Sequence, residues 1–209
     1  MRFALTAAVF LAACSNAAVP PPVSADMAPR PAPEAHEETA IFAGGCFWCT
    51  EAELQELPGV RSVLSGYTGG TTPRPTYRNI GDHAEAVEVI YDPAQISYER
   101  LLRVYWSNID PTDEGGQFFD RGSQYRTAIY VKNEAQRAAA LASLKAREAK
   151  LGRKIVTKIL PATEFYPAEG YHQDYYQKQP DHYEAYKKGS RREETLERVW
   201  QGDRDGLKE

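Results

Sequence analysis

The sequence predicts an α+β fold in which helices cover a mixed β-sheet. Two periodicities carry this reading. Short runs of two-residue apolar alternation interleave with longer runs in which apolar residues recur every three or four positions. Proline and glycine signals punctuate the boundaries, as at Pro58-Gly59 and Asp92-Pro93. The composition suits a domain with a real core, since 42% of the 209 residues are hydrophobic and 26% are charged. A net charge of −4 with no long basic run argues against a nucleic-acid footprint.

In chain order, Met1-Arg2-Phe3, an apolar run from Ala4 to Ala13 and then Cys14 read as an export signal over residues 1–13. The run is far below the ~20 residues that cross a bilayer. Leu11-Ala12-Ala13-Cys14 resembles a bacterial lipobox, which makes Cys14 a candidate lipidation site. A plain secretory signal with an incidental cysteine is the alternative. Residues 14–38, with Pro20-Pro21-Pro22, Pro29, Pro31 and Pro33, read as a solvated tether. The folded domain is expected over 39–209. The expected location is outside the cytoplasm, in a periplasm, anchored by lipid to a bacterial membrane.

Within the domain, Ala40-Ile41-Phe42-Ala43 predicts a strand that ends at Gly44-Gly45, and Cys46 to Leu57 a helix. Val60 to Tyr67 predicts a strand, Gly69 to Gly81 a loop, and Glu85 to Tyr91 a strand. Ser97 is placed to cap a helix whose Tyr98, Leu101, Leu102, Tyr105 and Ile109 share one face. A loop follows from Asp110 to Gly122, then a strand from Tyr125 to Val131. Asn133 caps a helix with Leu141, Leu144 and Leu151 as its apolar stripe, ended by Gly152. Ile155 to Leu160 predicts a last strand, and short helices are expected near Tyr183–Lys187 and Glu193–Trp200. The mixed charges from Arg191 to Arg198 read as a solvated helix face.

Cys14 aside, the chain has two cysteines, Cys46 and Cys49, three residues apart. Two are too few for a disulfide framework or a four-cysteine zinc site. Cys46 stands where a strand gives way to a helix, and the free N–H groups and dipole there favour a thiolate. Cα atoms three apart on a helix are roughly 5 Å apart, within disulfide range. On the pair alone, a permanent staple, a thioredoxin-like Cys-x-x-Cys and a non-enzymatic module stay open. Asp110, Asp113, Glu114 and Asp120 lack the spacing of a calcium loop, and the four histidines are not spaced as a zinc set, so no metal is expected.

The neighbourhood of the pair is more specific. Gly45-Cys46-Phe47-Trp48, Ser65-Gly66-Tyr67-Thr68-Gly69-Gly70, Pro75-Thr76-Tyr77 and Gly81-Asp82-His83-Ala84-Glu85-Ala86-Val87 occur in order. They are followed by Asp120-Arg121-Gly122-Ser123-Gln124-Tyr125-Arg126 and Phe165-Tyr166-Pro167-Ala168-Glu169-Gly170-Tyr171-His172-Gln173. With these six segments, spread over about Thr39 to Tyr186, the chain resembles the A-type peptide methionine sulfoxide reductases.

The resemblance implies a ferredoxin-like core and reduction of methionine S-sulfoxide, free or in protein. It implies Cys46 as the nucleophile, Glu85 as the acid that protonates the sulfoxide oxygen, and Tyr77 and Tyr125 as donors to that oxygen. Phe47 and Trp48 would receive the substrate methyl, and Asp120 would orient the pocket. His83 and His172 would orient rather than catalyse. An acid beside the nucleophile suits the chemistry, because a sulfoxide sulfur is a poor electrophile until its oxygen is protonated. As an extended segment, Glu85 to Val89 puts Glu85 on one face with Val87 and Val89, where apolar surroundings raise a carboxyl pKa.

Many relatives resolve the sulfenic acid with cysteines near the C-terminus. This chain has none after Cys49, and position 49 is often glycine in relatives. The loop between Tyr77 and Glu85 also looks shorter than in some of them. Cys49 is therefore expected to form the disulfide, with no bound cofactor and a thioredoxin-like dithiol as the reductant. The expected partners are oxidised proteins or free methionine sulfoxide, that reductant, and a membrane through the N-terminal lipid.

Overall fold

The structure, a computed structural model, describes residues 26–202 and 204. The segment expected to be an export signal, and Cys14, lie outside the described residues. Among the described residues, no helix is long and apolar enough to cross a membrane.

The core is a βαββαβ unit. It runs β1 (Glu38–Gly44), α1 (Phe47–Gln55), β2 (Val60–Thr68), β3 (Ala84–Tyr91) and α2 (Tyr98–Ser107). After a hairpin of β4 (Gly116–Gln117) and β5 (Asp120–Arg121) it is completed by β6 (Thr127–Val131). The sheet order is β7-β6-β1-β3-β2-β8, whose four central strands have the ferredoxin-like arrangement. These strands are antiparallel, and β7 (Lys158–Pro161) adds in parallel to β6, which makes the sheet mixed. β8 (Tyr166–Pro167) closes the other edge on β2. The expected fold class is the one observed, and most of the predicted elements occur where expected.

Both faces of the sheet are covered, which is why β3 is buried along its whole length. Phe42, Tyr67, Val87, Val89 and Ile129 face α1 and α2 and form the larger core. Ile41, Leu64, Ala86, Tyr130 and Phe165 form a smaller one on the opposite face. Ser97 caps α2 by accepting from the Arg100 N–H at 3.2 Å. Asn133 caps α3 (Glu134–Leu151) through the Gln136 N–H at 2.8 Å, and Gly152 ends it at φ +61°.

Four expectations are corrected. Tyr125 does not begin a strand: Gly122, at φ +130°, leads into a single 3₁₀ turn over Ser123–Tyr125, and β6 starts at Thr127. The strand expected from Ile155 starts at Lys158 instead. Leu141 is exposed, because α3 packs through Gln136, Ala140 and Arg147 instead. From Asp26 to Glu38 the expected solvated tether is instead held against the domain. The Ala28 N–H donates to Ala168 O at 3.1 Å and the Gly170 N–H to Asp26 O at 2.7 Å. Arg30 makes a fork on buried Glu88, and Arg61 reaches Glu37 and Ala32 O. These partners satisfy backbone groups that a proline-rich segment cannot satisfy internally.

After β8 the chain returns over the helix face as α4 (Tyr175–Lys178), α5 (Pro180–Gly189) and α6 (Arg192–Trp200). The Trp200 indole N–H donates to Ile109 O at 3.1 Å, which ties α6 to the end of α2.

Candidate active site

The site is built around the turn from β1 into α1. Gly45 sits there at φ +85°, and a Cβ would meet the Gln117 Cβ at 2.6 Å, so only glycine fits. Gln117 is itself fixed, with its Oε1 accepting from the Asp110 N–H at 2.8 Å and its Nε2 donating to Asp110 O at 2.8 Å. Cys46 is the N-cap residue of α1 and Cys49 lies one turn further on. Both are free thiols and both are buried.

Glu85 stands opposite Tyr67 in the β2–β3 register, on the helix-covered face with Val87 and Val89 as the alternation predicts. It is 2% exposed, and its Oε2 accepts from the Phe47 N–H at 3.0 Å, a donor the helix start leaves free. That hydrogen bond favours the carboxylate, but burial outweighs it and pushes the Glu85 pKa up to about 8. Glu85 is thus an acid at neutral pH, beside Cys46.

The thiols differ from the expectation for Cys46. Burial and the neighbouring Cys49 push the Cys46 pKa up. Cys49 is brought down to about 6, first by the hydrogen bond from Cys46 and then, against burial, by the charge of Arg192 and the Tyr183 hydroxyl. Of the two sulfurs, Cys49 is the one whose surroundings favour the thiolate. The helix dipole lowers the pKa of an exposed thiol at this position, but here burial is the larger effect.

The aromatic residues form a wall. Phe47 lies 5.0 Å from the His172 ring and 5.9 Å from Tyr67. Trp48 stacks on Tyr175 at 3.8 Å and 5° and meets the edge of Tyr186 at 5.8 Å. Its indole N–H donates to His172 Nδ1 at 3.1 Å, and burial lowers the His172 pKa to about 4, so the ring is neutral and orients Trp48. Tyr77 is partly exposed and its hydroxyl meets that of Tyr125. Burial raises the pKa of both phenols, and Glu85 raises them further once it ionises, so they remain donors. Asp120 accepts from the Tyr186 hydroxyl, and burial raises its pKa.

All eight predicted residues, Cys46, Phe47, Trp48, Cys49, Tyr77, Glu85, Asp120 and Tyr125, therefore belong to one neighbourhood, while Cys14 lies outside the described residues. His83 grips the loop that carries Tyr77, with Nδ1 accepting from the Gly70 N–H at 3.2 Å and Nε2 donating to Thr72 O at 2.8 Å. The acidic residues near Asp110 have separate partners. Asp110 accepts from Thr112, and Asp113 pairs with Arg121.

Sequence reasoning missed five residues that shape the site. Glu169 accepts from the Tyr77 N–H at 2.9 Å and from the Tyr67 hydroxyl at 2.7 Å, so it sets where Tyr77 sits. It and Tyr67 lay within matched segments without an assigned role. Tyr183 and Tyr186, three apart on α5, face the cysteines. Arg192, read as part of a solvated face, is 2% exposed. Nothing local in a run of mixed charges distinguishes the one residue that turns inward.

A family model described as peptide methionine sulfoxide reductase matches residues 38–204. A peptide methionine sulfoxide reductase MsrA of Bacillus pumilus is 52% identical over 170 residues, covering 78% of this chain and 96% of that protein. The protein of the same description from Bacillus velezensis is 49% identical over 170 residues, with the same coverage of 78% and 96%. Among solved structures, reduced Mxr1 from Saccharomyces cerevisiae is 30% identical with a TM-score of 0.67, covering 70% of this chain and 87% of that one.

Proposed function

The chain belongs to the peptide methionine sulfoxide reductase family, and from that premise we propose that Cys46, Glu85 and Cys49 carry out its reaction. The reaction is the reduction of methionine sulfoxide to methionine. The observation that supports these roles best is a protonated, buried Glu85 held by the Phe47 N–H beside the nucleophile turn.

The substrate methyl lies against Phe47 and Trp48, and its oxygen faces Tyr77, Tyr125 and Glu85. The S epimer is the substrate. As Cys46 attacks the sulfur, its proton passes to the Cys49 thiolate along their hydrogen bond. Glu85 gives its proton to the oxygen, the hydroxyl passes from the methionine sulfur to the Cys46 sulfur as the transient sulfur–sulfur bond breaks, and methionine leaves Cys46 as a sulfenic acid. Cys49 then loses its proton and attacks Cys46. The S–S bond forms, the second S–O bond breaks, and water departs. The water carries the protons of Cys46 and Glu85, and the charge first held on Cys49 ends on Glu85. A thioredoxin-like dithiol reduces the disulfide by exchange, and no bound cofactor is needed.

The test is methionine yield per chain with mass analysis after alkylation. Wild type forms one methionine and loses two free thiols in a single turnover. Cys46→Ser forms none. Cys49→Ser forms one and does not recycle with thioredoxin; normal recycling would reject Cys49 as the resolver.

The proposal extends to location. Residues 1–13 direct export, Cys14 carries a lipid, and residues between it and Asp26 link the anchor to the domain. The order basic start, apolar run, Leu-Ala-Ala-Cys supports this. Cys14→Ala is expected to move the protein from the membrane fraction to the soluble periplasm. Unchanged membrane partition would reject the anchor.

A further inference from the structure

Arg192 is the first residue of α6, is 2% exposed, and stacks its guanidinium over the Phe118 ring at 4.5 Å. Its Nη1 donates to Asn108 O at 3.1 Å, but Nε and Nη2 find no acceptor among the described residues. A buried guanidinium with two unused donors is costly unless an anion lies in its field. Three anionic groups face it besides Cys46 and the Tyr183 and Tyr186 phenols: Glu53 and Cys49 from α1, and Asp120 from β5. Glu53 has Lys187 at 3.5 Å, and Asp120 is occupied by the Tyr186 hydroxyl. Arg192 is the cation that acts on Cys49, and Cys49 is the foremost charge that acts on Arg192.

We propose that Arg192 is a positioning residue for the resolving step, holding the Cys49 sulfur as a thiolate opposite Cys46. This rests on the reading of Cys49 as the resolver. The step it serves is attack of the Cys49 thiolate on the Cys46 sulfenic sulfur. The S–S bond forms, the S–O bond breaks, and the departing hydroxide takes the proton that Cys49 has given up and leaves as water. With the guanidinium opposite, the thiolate persists at neutral pH in a site whose burial otherwise favours the thiol.

The experiment follows thiolate absorbance against pH and, separately, disulfide formation in a rapid-quench single turnover with methionine sulfoxide. Arg192→Gln is expected to raise the thiolate midpoint by at least one pH unit, which is tenfold in the thiolate-to-thiol ratio. Disulfide formation slows about tenfold at pH 5, well below the wild-type midpoint, and recovers as pH rises, while methionine still reaches one per chain. Arg192→Lys, which keeps the charge, is expected to keep the midpoint within half a unit of wild type. It serves as the test if the glutamine variant does not fold. An unmoved midpoint and a wild-type disulfide rate in Arg192→Gln would overturn the proposal, as would a Lys variant whose midpoint rises to the ordinary thiol range. Cys49→Ser separates the premise: if that variant recycles normally, the resolver reading fails whatever Arg192 does.

Discussion

At the residue scale, the reaction depends on two groups whose environments push their pKa values in opposite directions. Cys49 is lowered to about 6 and Glu85 is raised to about 8, so thiolate and acid coexist between those values. The first-turnover rate is expected to be bell-shaped in pH, falling below about 6 as the thiolate is protonated and above about 8 as Glu85 ionises. Glu85→Gln removes the alkaline limb and lowers the rate by roughly 10²-fold or more. Stopped-flow measurement from pH 5 to 9.5 checks both, and an alkaline limb that survives in Glu85→Gln would assign that limb to another group. Tyr125→Phe is expected to cost about tenfold in kcat, through loss of one hydrogen bond to the oxygen.

At the element scale, the turn from β1 to α1 holds the nucleophile in place. Gly45→Ala forces a side chain onto Gln117 at a positive φ, and is expected to destabilise by about 2 kcal/mol in urea unfolding. The N-terminal strap is the second such element. Glu88 is buried on the sheet face away from the site, and Arg30 forks onto it at 2.9 and 2.6 Å. Arg30→Ala leaves that carboxylate unpaired and is expected to lower stability by about 1–3 kcal/mol. It should leave single-turnover methionine formation at the wild-type rate, because Glu88 and Glu85 point to opposite faces of β3. An equal loss of rate and stability would show that the strap also sets the site.

At the scale of the whole molecule, two buried acids couple folding to pH. Burial raises both Glu85 and Glu51 to about 8, outweighing the Phe47 N–H at Glu85 and the Asp174 and Tyr175 backbone groups near Glu51. Their folded pKa values exceed the unfolded ones. The stability they contribute is therefore full below about 4.5 and is lost as pH rises through about 8. Each loses on the order of 1 kcal/mol per pH unit across that window. Thermal unfolding is expected at lower temperature at pH 8.5 than at pH 6, and Glu51→Gln should flatten the dependence. A profile as steep as wild type in that variant would exclude Glu51 as a source. The sequence by itself determined most strands and helices of the core and the caps at Ser97 and Asn133, and it singled out eight residues that the fold brings into one neighbourhood. Those features are written in local periodicity, capping chemistry and ordered motifs. Only the tertiary structure decided where the charge of the dithiol rests, that Glu169 sets Tyr77, that the proline-rich segment docks from Asp26, and that Arg192 turns inward. Each of these depends on burial and on partners distant in sequence, with separations of 102 positions from Tyr67 to Glu169 and 84 from Asn108 to Arg192. Local pattern carries the face of an element, but the field at a buried sulfur is a sum over elements that only folding brings together.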